Sequence, residues 1–208
     1  MIRVKVCGLF DPLNVKTISE LKPDFMGFIF FPGSPRYVGD EPEMKLFRNI
    51  PDSIRRVGVF LNENNQKIFD ISIRTGLDII QLHGNESTES CSQLKSSGLT
   101  IIKAFNLEKD FSFESIIRYV PVCDYFMFDT KDEKPGGSGK KFNWEKLNEY
   151  CIDKPFFLSG GIGPEDAGVI KSISNKGLFA VDLNSRFETS PGIKDVGLIK
   201  TFIKAIKN

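Results

Sequence analysis

Histidine is almost missing from this sequence, with His83 the single example among 208 residues, and cysteine is sparse. Cys7, Cys91, Cys123 and Cys151 lie far apart with no C-x-x-C pair, so neither a structural zinc site nor any other metal is expected. No apolar run approaches the roughly 20 residues that a membrane-spanning helix requires. The opening stretch, Met1-Ile2-Arg3-Val4-Lys5-Val6-Cys7, alternates charge with β-branched residues and reads as a buried strand, not a signal peptide. Charge of one sign is lacking too. The 28 Lys plus Arg against 27 Asp plus Glu leave a net +1, and so no electrostatic reason for a nucleic-acid or membrane partner. Scattered thiols in an enzyme-sized chain point to the reducing cytoplasm.

What is present is alternation. Apolar, β-branched or aromatic runs at 2–7, 24–30, 55–60, 78–82, 100–105, 123–128, 155–159 and 177–183 read as strands. Between them, polar-faced stretches near 13–21, 41–49, 64–75, 87–97, 112–119, 143–150, 165–172 and 194–206 read as helices. Gly and Pro mark most transitions, and no low-complexity linker interrupts them. Eight strand–helix units of about 26 residues suit a closed (βα)8 TIM barrel in a single domain over residues 1–208. An open doubly wound sheet shares the local alternation. The count of eight and the lack of a dinucleotide fingerprint after any strand favour the barrel.

In such a barrel, chemistry sits where strands end and βα loops begin. Cys7 and Gly8 close the first strand, and Ser34-Pro35-Arg36 follows the second. Gln81-Leu82-His83-Gly84 ends the fourth, Asp129-Thr130-Lys131 the sixth, and Asp182-Leu183-Asn184-Ser185 the eighth. After the seventh, Ser159-Gly160-Gly161-Ile162-Gly163-Pro164 leads into a helix, where glycines let backbone N–H groups approach a phosphate. A tight turn alone would also use those glycines. Gly136-Gly137-Ser138-Gly139-Lys140 lacks the spacing of a nucleotide loop; it fits a loop closing over substrate or an ordinary solvated one. Taken singly, Cys7 fits packing, Asp129 a cap, His83 a structural role and Arg36 solvent. Together, a thiol and a carboxyl fall on strands one and six of one ring.

These motifs, in order along nearly the whole chain, resemble the phosphoribosylanthranilate isomerases of tryptophan biosynthesis. The likeness rests on Lys5-Val6-Cys7-Gly8, Ser34-Pro35-Arg36, Gln81-Leu82-His83-Gly84, Asp129-Thr130-Lys131, Phe142-Asn143-Trp144, Leu158-Ser159-Gly160-Gly161 and Pro191-Gly192-Ile193-Lys194-Asp195. The resemblance implies a (βα)8 barrel and an Amadori rearrangement of a phosphoribosyl substrate without a cofactor. It implies Cys7 as general base, Asp129 as general acid, and Arg36 and His83 on the substrate. Gly137, Gly160, Gly161, Asn184 and Ser185 are then expected around the phosphate, in a monomer or homodimer of the cytoplasm. Two stretches depart from the family pattern. Leu9-Phe10 replaces the usual Ile-Thr, and Arg186 stands at a usual glycine within Asn184-Ser185-Arg186-Phe187-Glu188. The ribotide isomerase of histidine biosynthesis carries aspartate where Cys7 stands, and a non-catalytic phosphosugar-binding barrel would not need both Cys7 and Asp129.

The chemistry asks more of the acid than of the base. A free cysteine near 8.5 is roughly 3% thiolate at pH 7, whereas a free aspartate near 3.9 is protonated about once in a thousand. Phe126 and Phe128 are expected to surround Asp129 with low polarity. Lys5, two residues before Cys7, shares its face of the strand. Its charge would favour the thiolate, or would hold Asp129 ionised if close to it.

Overall fold

The computed structural model describes residues 1–108, 110–130 and 143–208. Eight parallel strands close into a barrel, β1 (Arg3–Val6), β2 (Phe25–Ile29), β3 (Arg55–Phe60), β4 (Ile79–Leu82), β5 (Thr100–Asn106), β6 (Tyr125–Asp129), β7 (Phe156–Leu158) and β8 (Leu178–Leu183). Pairing of β1 with β8 completes the ring, with Lys5 directly beside Asp182. Around it lie α1 (Pro12–Glu20), α2 (Lys45–Arg48), α3 (Asn65–Thr75), α4 (Thr88–Ser96), α5 (Ala167–Lys171) and α6 (Val196–Lys207).

Four expected helices are shorter or tighter, among them 165–172, which becomes a 3-10 turn at Pro164–Asp166 followed by α5. The stretch 41–49 contracts to α2, which starts after Pro42 on Met44, a residue whose side chain accepts no capping bond. Phe113–Tyr119 and Trp144–Glu149 wind as 3-10 helices. In the first, Ile116, Ile117 and two aromatic residues lose side-chain freedom in an α-helix, which weakens that alternative. A short hairpin, β9 (Glu188–Ser190) and β10 (Ile193–Lys194), was not foreseen. Gly192 turns it with φ 85°, and Phe10 packs against that glycine, so this departure from the family pattern is seated on the hairpin.

Helix starts follow their caps. Asp11 accepts from the Asn14 amide ahead of Pro12, Asn64 from Gln66, Ser87 from Ser90 and Asp195 from Leu198. At the bottom of the barrel one device recurs. Asp24, Asp78 and Asp124, each just before an even-numbered strand, accept the amides of Val4, Arg56 and Ile101 on the preceding strand at 2.9, 2.8 and 2.8 Å. These carboxylates satisfy strand-edge donors that would otherwise lack partners, at the end of the barrel that carries stability.

Side chains alternate across each strand. Phe25, Val57, Ile79, Ile102, Ala104, Met127, Phe157 and Ala180 fill the interior. Val4, Val6, Phe28, Phe126, Phe128 and Leu158 point outward to the helical layer. Residues of the inward parity at the upper strand ends therefore meet at the mouth: Lys5 and Cys7, Gln81 and His83, Asp129, and Asp182 and Asn184. No helix among the described residues is long and apolar enough to cross a membrane.

Candidate active site

Cys7 emerges from β1 into a buried polar cluster. Its space exists because Gly27 on β2 has no side chain: a Cβ there would lie 2.7 Å from the Cys7 sulphur. Below it, Lys5 is fully buried and places Nζ 3.0 Å from Oδ2 of Asp182. The Lys5 charge also acts on Cys7, two residues along the same face of β1. Burial works against the Lys5 charge, but Asp182 and Cys7 outweigh it and leave its pKa above the ordinary 10.5. For Cys7, burial dominates and pushes the thiol up. Lys5 opposes this, Asp182 adds to it, and Lys194 opposes it more weakly. Asp182 is raised by its own burial despite Lys5. Its Oδ1 is buried with no hydrogen-bond partner.

Asp129 ends β6 with both oxygens engaged. Oδ1 accepts the Thr130 amide at 2.7 Å, and Oδ2 lies 3.3 Å from Nε2 of His83. The other ring nitrogen, Nδ1, is 2.9 Å from the Gln81 amide nitrogen. An amide NH2 only donates, so Nδ1 accepts and the ring proton sits on Nε2, aimed at Asp129. Gly160, with φ 90°, allows this arrangement, since a Cβ there would stand 2.8 Å from Oδ1 of Asp129 and would also strike Thr130. Phe126 and Phe128 do not line the site as expected. With Asp129 facing inward, strand alternation turns both phenyl rings outward into the helical layer.

Arg36 is held by Glu188 from the start of β9. Nε and Nη2 donate to the two carboxylate oxygens at 2.7 and 2.6 Å, a bidentate geometry that fixes the guanidinium plane. Lys194, on β10, donates to the same carboxylate and to Oδ1 of Asn184 at 2.8 Å. Asn14 clasps the Lys194 backbone at both its N–H and its carbonyl, each at 2.9 Å. Burial lowers the Lys194 ammonium to about 8, against the pull of Glu188. Two cations around one carboxylate give this corner a net positive charge when Lys194 is protonated. Gly8, with φ 76°, leaves room where a Cβ would stand 2.5 Å from Arg36 and 2.8 Å from Asn184.

The glycine loop after β7 carries amides without partners. Among the described residues, no hydrogen bond is made by the N–H groups of Gly160, Gly161 or Ile162, while that of Gly163 is taken by Asp166 at 2.6 Å. Ser185, half-buried, starts the short 3-10 turn Ser185–Phe187 beside that loop. The Asn184 side-chain oxygen, expected near phosphate, is instead turned to Lys194. Gly137 lies outside the described residues. The structure thus brings Cys7, Arg36 and Asn184 into one corner, and Asp129, His83 and Gly160 into another. Asp182 links the two, because its carboxylate pairs with Lys5 and is pushed up by the Asp129 charge as well as by burial. Sequence reasoning gave no role to Gln81, Asp182, Glu188 or Lys194. Parity along the strand would have marked the first two, lying two residues before His83 and Asn184; nothing local marked the others.

A closed (βα)8 barrel with a thiol, a carboxyl and clustered cations at the C-terminal ends of its strands is an enzyme barrel of the acid–base kind. Comparison with known proteins narrows the class. The family described as N-(5′-phosphoribosyl)anthranilate (PRA) isomerase matches residues 4–205, and the chain belongs to it. An N-(5′-phosphoribosyl)anthranilate isomerase of Phocaeicola vulgatus is 43% identical over 204 residues, covering 98% of this chain and 97% of the relative. The crystal structure of phosphoribosyl anthranilate isomerase from Thermotoga maritima superimposes with a TM-score of 0.89 at 35% identity, covering 100% of this chain and 99% of its own. A further isomerase structure, at TM-score 0.85 and 32% identity over 100% of this chain and 99% of its own, holds reduced 1-(o-carboxyphenylamino)-1-deoxyribulose 5-phosphate.

Proposed function

We propose that this chain converts N-(5′-phosphoribosyl)anthranilate to 1-(2-carboxyphenylamino)-1-deoxyribulose 5-phosphate in L-tryptophan biosynthesis, with Cys7 as general base and Asp129 as general acid. The observation that carries this reading is the pairing of two proton-handling corners in one barrel mouth, Lys5–Cys7–Asp182 and Gln81–His83–Asp129, in a chain of this family. Asp129 protonates the furanose oxygen while the anthranilate nitrogen supplies the electrons that open the ring. The resulting iminium acidifies the C2′ hydrogen, which Cys7 removes to give the enolamine. Transfer of the remaining enol proton to C1′ completes the ketone. One proton leaves Asp129, one arrives on Cys7, and no electrons pass to any acceptor.

Each end of the substrate has a counterpart. The unpartnered amides of Gly160, Gly161 and Ile162 suit the phosphate, with Ser185 alongside. Arg36, oriented by Glu188 and reinforced by Lys194, suits the anthranilate carboxylate. His83 acts through Asp129. We place the protein in the cytoplasm as a monomer or homodimer. A structural neighbour described as mutually generated monomers of the dimeric isomerase from Thermotoga maritima bears on both options. A net charge of +1 supports a small-molecule partner without nucleic acid or membrane.

Loss of substrate fluorescence on purified protein tests the assignment. Cys7→Ala and Asp129→Asn each lower kcat by about 100-fold or more while circular dichroism stays native, the usual scale for acid–base groups. Variants that turn over like the parent would remove these residues from the chemistry.

A further inference from the structure

Arg186 is the departure from the family pattern that the mechanism above leaves unused, and its guanidinium crosses from the β8 loop to the glycine loop after β7. Nη2 donates to Oε1 of Glu165 at 2.7 Å, and Nη1 reaches the Gly161 carbonyl at 3.4 Å. The side chain lies directly over Gly163, where a Cβ would stand 2.8 Å from the guanidinium carbon. A cation is thus held against the loop that also carries the partnerless amides of Gly160, Gly161 and Ile162. The nearest other charges in this loop, Glu165 and Asp166, are both negative. Backbone amides alone would face a dianion with acidic neighbours. Among the described residues, Arg186 brings a positive charge to this loop.

We propose that Arg186 is a phosphate ligand, poised over the glycine loop by Glu165 and donating through Nη1 to the 5′-phosphate of the substrate. The proposal rests on the isomerase reading of the site. Nη1 is the more weakly held end, because its bond to the Gly161 carbonyl is long and to a neutral acceptor. A phosphate oxygen replaces that contact, while Nη2 keeps Glu165 and so preserves the aim of the guanidinium. The ion pair is then a positioning device. Its guanidinium is over one-third exposed, so the pair itself adds little to stability.

Steady-state kinetics on Arg186→Gly, Arg186→Lys and Glu165→Gln test this, with inorganic phosphate as competing ligand. Arg186→Gly raises KM about tenfold and weakens phosphate inhibition in the same proportion, with kcat and the melting temperature unchanged. Arg186→Lys recovers part of that loss, and Glu165→Gln, which loosens the aim of the guanidinium but keeps the cation, raises KM by clearly less than Arg186→Gly. An Arg186→Gly enzyme with wild-type KM and phosphate inhibition overturns the proposal. So does a Glu165→Gln enzyme that matches Arg186→Gly, since the pair would then act only as a tie between loops. If wild-type protein neither turns over N-(5′-phosphoribosyl)anthranilate nor binds inorganic phosphate, the isomerase reading itself fails. If it does both, only the role of Arg186 is at stake.

Discussion

Removing either member of the Lys5–Asp182 pair should move the Cys7 thiol in opposite directions while weakening the fold in both cases. The pair is buried at 0% and 6% side-chain exposure, so Lys5→Met leaves an unpaired carboxylate inside the barrel. Breaking a buried pair in this way costs about 3–5 kcal/mol. At roughly 2–4 °C per kcal/mol for a chain of this size, the melting temperature falls by about 10 °C. The folded pKa of Lys5 lies above its ordinary 10.5. Its stabilisation is therefore complete below pH 10.5 and lost as pH rises through the folded value, so the deficit of Lys5→Met stays constant from about pH 6 to 9.

The thiol reports the same charges separately. Lys5 lowers the Cys7 pKa and Asp182 raises it, on top of the larger upward push of burial. Lys5→Met must therefore make Cys7 less acidic, and Asp182→Asn must make it more acidic. Thiolate absorbance near 240 nm against pH, taken as the difference from a Cys7→Ser protein to cancel the other cysteines, measures both. Shifts of the same sign in the two variants would refute the electrostatic account and leave the pair a packing feature.

Other outcomes follow from single distances. Gly27→Ala places a methyl 2.7 Å from the Cys7 sulphur, so kcat drops at least about tenfold in a protein that still folds; unchanged kcat would show that the sulphur is free to move aside. Lys194 loses its proton near pH 8, which strips a positive charge from the Arg36 corner. The KM for the anionic substrate then rises above that pH in the parent and stays flat in Lys194→Met, as initial rates from about pH 6.5 to 9.5 would record. His83 is the single histidine, so nitrogen NMR reads its ring without assignment. The neutral ring carries its proton on Nε2, and Gln81→Leu lets the other tautomer appear.

The alternation of strands and helices was legible because each barrel strand is a short apolar run closed by glycine, proline or a polar cap. The paired faces were legible too. Lys5 and Cys7 were assigned one side of β1, and they share it. The same parity rule contradicts the apolar shell expected around Asp129, for Phe126 and Phe128 lie one and three positions from it and face away. Among the described residues, the acid meets His83 from β4 and the Thr130 amide, in space left by the missing side chain of Gly160. Lys194 and Glu188 were not legible. They enter the site on a hairpin whose place depends on Gly192, Phe10 and the two-point clasp of Asn14, contacts that span 180 residues in the last case.

The register of β1 against β8 answers the question that Lys5 raised. Lys5 and Asp182 are direct cross-strand neighbours with both side chains turned inward, so the ammonium meets a carboxylate of its own within the barrel. Asp129 stands on β6, three strands from β1 around the ring, and among the described residues its ion-pair partner is His83. The Lys5 charge is therefore engaged by Asp182 inside the barrel, and it still pulls the Cys7 thiol down against the larger push of burial. One lysine can stay charged inside the barrel and favour the thiolate because the barrel puts a carboxylate beside it, on the strand that closes the ring.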